Sequence, residues 1–424
     1  MIEGNRKQLK NGQIKQILYK TRVIPILSKI LDFREYQKSQ YCQRIEHNPN
    51  RWYFKFLPIK KNKIVFDNFI GSGYGDNPKA IAEEIMRQGL SWDLVWLTNK
   101  EEELPTRIRR VKYGSLEAMR ELATAKVWVF NCRNVKHPKK RWMQKYLQTW
   151  HGGYPLKLIE KETEQELDKE YVDEAKNDGD ILNAIISSSE YLTEKYKKNF
   201  WLNKNAQILE IGVPKNDVLF KKNYRKKTEQ KIREMYSIKA DTKIVLYLPT
   251  FRDKGIIEYY DLEYERIVQA FEKRYGGKFV ILFRLHPNAL KQKNAKNILL
   301  SKNVVNVSDY PEASDLYCIA DALISDYSGV LLAFGLQRKP IFIYASDLKH
   351  YMQGRGLNEL YKMIPCKKCQ TNDELINEII NHDADNALSE MDKIFKYIHP
   401  FDDGHASEKS VEWIENQVNH WRKK

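Results

Sequence analysis

The sequence predicts an α/β protein of two domains of similar size, with mostly parallel sheets facing one another across a cleft. Three observations lead there. From residue 63 onward, short apolar runs bounded by turn residues alternate with helical patterns, the mark of a parallel sheet covered by helices. The alternation breaks at a highly charged stretch, Lys221 to Arg233, and then restarts. A chain of 424 residues, 42% hydrophobic and 12% aromatic, can build a core for each half.

Residues 1–62 read as a basic N-terminal segment. Val23, Ile26, Leu27, Ile30 and Leu31 follow the i, i+3, i+4, i+7, i+8 spacing of an apolar helical stripe, with Pro25 tolerable in its first turn. Arg6, Lys7, Lys10, Lys15, Lys20, Arg22, Lys29 and Arg34 surround it. Such a helix suits an anionic membrane surface, or packing on its own domain with a solvated basic face.

The first domain is expected over residues 63–220. Its strand candidates are Ile64 to Phe66, Asp93 to Leu97, Lys126 to Phe130, Leu147 to Trp150, Ile185 to Ser187 and Ile208 to Ile211. Helical patterns fit at 78–87, 115–125, 164–177 and 190–201. The second domain is expected over 221–405, with strands at Lys243 to Leu248, Phe279 to Phe283, Val304 to Val307, Ala322 to Ile324 and Pro340 to Tyr344. Its helices fit at 260–275, 327–337 and 371–381, and residues 406–424 supply a last helix that folds back on the first domain.

The charge balance is the unusual bulk quantity: 72 basic against 56 acidic residues, net +16. That suits a phosphate-rich partner, or merely a lysine-rich soluble protein. No nucleic-acid motif accompanies it, so nucleic acid is not the expected partner. The five cysteines are few and odd in number, which speaks for a reducing compartment. Cys366 and Cys369 have CxxC spacing without a second pair, so no zinc site is expected. No apolar run approaches the roughly 20 residues of a membrane span, and the N-terminus lacks a signal peptide's apolar core. The glycine loop at Gly71 to Gly75 lacks the third glycine of a dinucleotide fingerprint, and no phosphate loop of the Walker type is present. No cofactor or metal is therefore expected.

Chemistry concentrates at strand ends, where ligands sit in open α/β sheets. His151 follows a predicted strand and precedes Gly152 and Gly153, and imidazole is the side chain best matched to proton transfer near neutral pH. In the second series one strand ends at Thr250 and Arg252, the next at Arg284 and His286, and a third at Asp326, Ser328 and Gly329, where a helix opens. Singly, Asp326 or Ser328 reads as an N-cap, His286 with Pro287 as a turn, and Arg252 as a surface ion pair. Jointly, arginines, a histidine and a helix N-terminus facing one crevice suit a pyrophosphate.

The same motifs, in order, resemble the CDP-glycerol glycerophosphotransferase family, which builds teichoic acids and related phosphate-linked capsule polymers. The matching pieces run from Tyr74 to Pro78, Thr149 to Gly152 with Pro155 to Lys157, Ser187 to Glu190, and Gly212 to Asp217. They continue through Pro249 to Asp253, Arg284 to Pro287, Ser325 to Ser328, Gly354 to Gly356, and Asp403 to Glu408. The resemblance implies a GT-B-like pair of Rossmann-type domains, a CDP-linked polyol donor (CDP-glycerol or CDP-ribitol) and a polyprenyl-linked glycan acceptor. It implies a cytoplasmic enzyme peripheral on the inner face of the cell membrane. His151 is then the base, with His286, Arg284 and Arg252 stabilising phosphate charge. Thr250, Asp326, Ser328, Gly329 and Arg355 join the donor side, and Gly152, Asp76 and Asn77 the acceptor side.

Four departures from the family pattern stand out. Gly153 and Tyr154 add a residue before Pro155, Gly329 replaces a second serine, Ala333 replaces an aspartate, and Lys215 stands where the pattern has arginine. A ribitol donor or a capsule enzyme with a sugar acceptor is the nearest rival. A nucleotide-sugar glycosyltransferase would share the cleft and differ in the donor it turns over. A non-catalytic polyanion binder would need no His151 and would bind any polyanion with steep salt dependence.

Overall fold

The computed structural model describes residues 52–133, 137–252, 261–286, 289 and 301–419. The stripe from Val23 to Leu31 lies outside the described residues. Seven strands form the first sheet: β1 Lys60–Asp67, β2 Asp93–Thr98, β3 Ile108–Lys112, β4 Ala125–Phe130, β5 Lys145–Gln148, β6 Ala184–Ser187 and β7 Gln207–Glu210. Six form the second: β8 Thr242–Leu248, β9 Lys278–Phe283, β10 Val304–Asn306, β11 Ala322–Ser325, β12 Ile341–Tyr344 and β13 Lys368–Cys369. Their orders are β3-β2-β1-β4-β5-β6-β7 and β10-β9-β8-β11-β12-β13, and every pairing within them is parallel. In each sheet the order reverses beside the first strand, between β1 and β4 and between β8 and β11. Loops leaving adjacent strands there diverge and open a crevice at the carboxyl ends.

The strands are apolar because both faces are covered. Ile64, Val65 and Phe66 of β1, Val127 to Val129 of β4 and Ile244 to Leu246 of β8 are fully buried. Strand β3 escapes the sequence reading because Arg109, Arg110 and Lys112 interrupt its apolar run; only Ile108 and Val111 point inward. The charged stretch at 221–233 forms helix Lys222–Met235, which buries little beyond Thr228 and Ile232 and leaves its lysines exposed, while Arg233 pairs with Glu229 at 2.8 Å. The helix expected at 327–337 is shorter, Val330–Gly335. The strand expected to reach Trp150 stops at Gln148, because Trp150 turns the chain with φ of 50°.

Helix Ala406–Asn419 returns to the first sheet, where Val411 and Ile414 join the core of Ile64, Phe66, Trp96 and Val129. Asp217 holds its first turn by accepting the backbone N–H of Ala406 at 3.0 Å and Ser407 at 2.8 Å. Among the described residues, no helix is long and apolar enough to cross a membrane.

Candidate active site

His151 sits at the first reversal point. Its loop leaves β5 and turns back over the end of β4, where Nδ1 lies 2.9 Å from the Asn131 carbonyl oxygen. A carbonyl only accepts, so Nδ1 carries the hydrogen and Nε2 of the neutral ring keeps a lone pair. Trp150 and Phe69 flank the ring, with centroids at 4.5 and 5.2 Å. Desolvation lowers the imidazole pKa, and Lys215 and Arg133 push the same way against the Asn131 carbonyl and Asp76. The residue still keeps an exposed edge. A neutral imidazole with an available Nε2 is what a general base requires.

Asp76, Asn77 and Lys215 are woven into this loop. Asp76, at φ of 59°, accepts the Asn77 N–H at 2.8 Å and pairs with the Lys215 ammonium at 2.6 Å. Asn77 donates to the Trp150 carbonyl at 2.9 Å and accepts the Lys215 backbone N–H at 3.1 Å. Lys215 Nζ also lies 3.3 Å from the His151 carbonyl oxygen. Burial opposes the charge of Lys215, yet Asp76 keeps its pKa raised, so a cation stands beside the base. In the sequence Lys215 registers only as a departure within the segment Gly212 to Asp217. Gly152 is half-buried, with the Trp150 indole nitrogen 3.7 Å from where its Cβ would stand.

The second reversal point gathers Thr250, Arg252, Asp326 and Ser328, as their strand ends imply, but its electrostatics need correction. Thr250 donates its N–H at 3.0 Å and its hydroxyl at 2.5 Å to Asp326. Arg252, 8% exposed, makes a bidentate pair with Asp347 at 2.7 and 2.9 Å and a second pair with Asp326 at 2.9 Å. Burial opposes its charge, and the two carboxylates hold its pKa above the ordinary value. This is a buried double ion pair rather than a surface one. One cation against two carboxylates leaves the cluster short of the net positive charge expected for a pyrophosphate cradle. Tyr327 closes it by donating to Asp347 at 2.7 Å while stacking on Tyr351 at 3.8 Å.

Arg284 is buried and donates to the backbone carbonyls of Tyr310 and Pro311; burial lowers its pKa, and Glu312 opposes that. His286 is exposed, with its ring 5.8 Å from Phe251. Ser328 accepts the Val330 N–H at 3.3 Å. Arg355 ends helix Leu348–Arg355, and its side chain lies outside the described atoms. Ala333 packs into the apolar core of the second sheet, a place that would penalise an aspartate.

The two reversal points meet through the segment after His151. Tyr154, 3% exposed, and Leu156 insert into the core beneath the second sheet. Asn358 holds their backbone, donating to the Leu156 carbonyl at 3.0 Å and the Pro155 carbonyl at 2.7 Å. The Tyr154 hydroxyl donates to Asp402 at 2.6 Å, and burial raises that carboxyl to about 6. A Cβ on Gly329 would run into the Tyr154 carbonyl, so this contact accounts for the glycine, rather than room for a phosphate. Three residues span at most ~11 Å, so the base cannot stray far from the second reversal point. A second strut crosses nearby: Lys79 pairs with buried Glu312 at 3.4 Å. Asp402, Lys79 and Glu312 escaped sequence reasoning and Tyr154 registered only as a departure from the family pattern, because their partners are over 150 residues away.

Known proteins resemble this chain in sequence and fold. Residues 52–416 match the model of a family described as CDP-Glycerol:Poly(glycerophosphate) glycerophosphotransferase. The teichoic acid glycerol-phosphate transferase of Staphylococcus aureus is 30% identical over 84% of this chain and 93% of its own length. The teichoic acid poly(glycerol phosphate) polymerase of Staphylococcus epidermidis is 30% identical over 70% of this chain, which spans only 42% of that protein's length. A variant of the wall teichoic acid polymerase TagF, soaked with CDPG, has a TM-score of 0.73 at 27% identity, covering 86% of this chain and 90% of that one.

Proposed function

Because the chain belongs to the CDP-glycerol:poly(glycerophosphate) glycerophosphotransferase family, we propose that it transfers glycerol phosphate from CDP-glycerol to a hydroxyl of a membrane-bound, polyprenyl-linked acceptor. CMP leaves, and the product extends a teichoic acid or capsule polymer at the cytoplasmic face of the membrane. The division of labour is part of the proposal: residues 63–220 carry the base and residues 221–405 hold the nucleotide.

His151 Nε2 takes the proton of the attacking hydroxyl. The hydroxyl oxygen bonds to the phosphorus bearing the glycerol, and the phosphoanhydride bond to CMP breaks, its electron pair leaving with CMP. Phosphoryl transfer asks the protein mainly for positioning and fixed positive charge. Arg284, held by backbone carbonyls rather than by a carboxylate, supplies that charge, while Lys215 stands beside the base in its pair with Asp76 and His286 is exposed at the strand end to meet the phosphate. Arg252 and Asp326 act by fixing the loops after β8 and β11. Asp76 and Asn77 keep Lys215 and the His151 loop in register on the acceptor side.

The observation that supports this reading best is the His151 ring, with Nδ1 tied to a backbone carbonyl and its pKa depressed, at the reversal point facing the second sheet. CMP release from CDP-glycerol, measured beside CDP-ribitol with an oligomeric glycerol-phosphate acceptor, tests it in wild type and His151→Ala. Release from CDP-glycerol that vanishes in the variant supports the proposal. Release from CDP-ribitol alone moves the assignment to the ribitol rival, and an equally active variant removes His151 from the mechanism.

A further inference from the structure

At the opposite end of the first sheet from His151, a tryptophan is displayed where water would normally exclude it. Trp142 is 80% exposed, at the tip of a turn closed by the Gln144 N–H on the Arg141 carbonyl at 2.9 Å. The turn is firmly anchored. Gln144, fully buried, donates to the carbonyls of Leu122 and Ala125, each at 2.7 Å, and accepts the Arg141 N–H at 3.1 Å. The Arg141 guanidinium clamps the neighbouring segment by donating to the carbonyls of Lys55 at 3.1 Å and Leu57 at 2.6 Å. That clamp brings Phe56, itself 75% exposed, alongside the turn. A scaffold this well tied, ending in the two most exposed large hydrophobic side chains among the described residues, is built to present them.

The surroundings say to what. Lys55, Lys60, Lys61 and Lys139 are exposed on the same end of the sheet, and residues 52–62 and 137–145 contain no Asp or Glu. An indole framed by lysines is the pairing that an anionic bilayer surface selects: the ring enters the headgroup layer and the ammonium groups meet its negative potential. We propose that this turn is a membrane-docking surface whose partner is the anionic lipid headgroup layer. It rests on the membrane-bound acceptor of the proposed function and adds where the protein touches the membrane. The six residues of β4 separate the two ends of the sheet, so the reaction takes place roughly 20 Å above the lipid.

The test is sedimentation of the full chain with vesicles of phosphatidylglycerol and phosphatidylcholine in equal parts, and with phosphatidylcholine alone. Wild type, Trp142→Ala and Lys60→Glu/Lys61→Glu are compared, alongside CMP release with a soluble glycerol-phosphate oligomer. Each variant is expected to bind the anionic vesicles at least ~10-fold more weakly, with turnover of the soluble acceptor unchanged. Undiminished vesicle binding by Trp142→Ala overturns the proposal, as does equal binding of wild type to both vesicles. So does a wild-type dimer that Trp142→Ala dissociates while vesicle binding persists, since a second copy would then be the occupant. Vesicle binding lost in the variants of a protein that releases no CMP from any donor would leave the docking surface standing and sink the functional reading instead.

Discussion

Gly329→Ala isolates the contact that joins the two halves of the site. The glycine has φ −59° and ψ −10°, a conformation open to any residue, so alanine brings no backbone strain. It is the N-cap of helix Val330–Gly335, a position where alanine is less favourable than glycine by about 1 kcal/mol at most. The rest of the effect must come from the added methyl. That methyl would stand 3.1 Å from the carbonyl carbon of Tyr154 and closer still to its oxygen, where ordinary contact begins at 3.4 Å. The obstacle is backbone, so no side chain can swing aside. The Tyr154 segment must retreat by roughly 1 Å, at an overpacking cost of about 1–3 kcal/mol. His151 is three residues upstream, and a 1 Å misplacement of reacting groups costs on the order of 100-fold in rate. The assay is steady-state CMP release with thermal melting of the same samples. A lowered Tm with kcat down tenfold or more and donor KM little changed is the expected result. An alanine variant with wild-type kcat and an unchanged or higher Tm would refute the account of how the base is held.

His151→Ala should lower kcat/KM by ~100- to 10,000-fold, the usual worth of a positioned base. In wild type the base works only when neutral, and its pKa is lowered from 6.5, so the acid limb of kcat/KM should lie below that value; a limb above pH 7 would contradict the environment described. Lys215→Met should reduce kcat/KM by tenfold or more, while Lys215→Arg retains most of it, since charge beside the base is what is needed; equal loss in both would point to packing alone. Arg252→Met leaves Asp326 and Asp347 buried without their cation and should cost about 3–5 kcal/mol, read by denaturant unfolding, with a loss under 1 kcal/mol counting against the buried pair.

Much of this protein was legible in its residues one short window at a time. Apolar runs such as Val127 to Val129 could only be covered strands, and the polar residues following them had to lie at the carboxyl ends of a parallel sheet. His151, Thr250, Arg252, Asp326 and Ser328 could be placed at strand ends that way, because strand-end position is a local property of the chain. Local pattern failed where charge masked an element, as at β3 and helix Lys222–Met235. Which charges survive at the site was decided only by the tertiary structure. Arg252 meets Asp347 across 95 positions and Asp326 across 74, and is thereby neutralised. Lys215 meets Asp76 across 139, a one-to-one ion pair that keeps the ammonium protonated and holds it beside the base. Tyr154 reaches Asp402 across 248, which sets the base loop against the second sheet. A sequence lists the charges that a chain carries; only folding brings each to its counter-charge and decides which remain available for a phosphate.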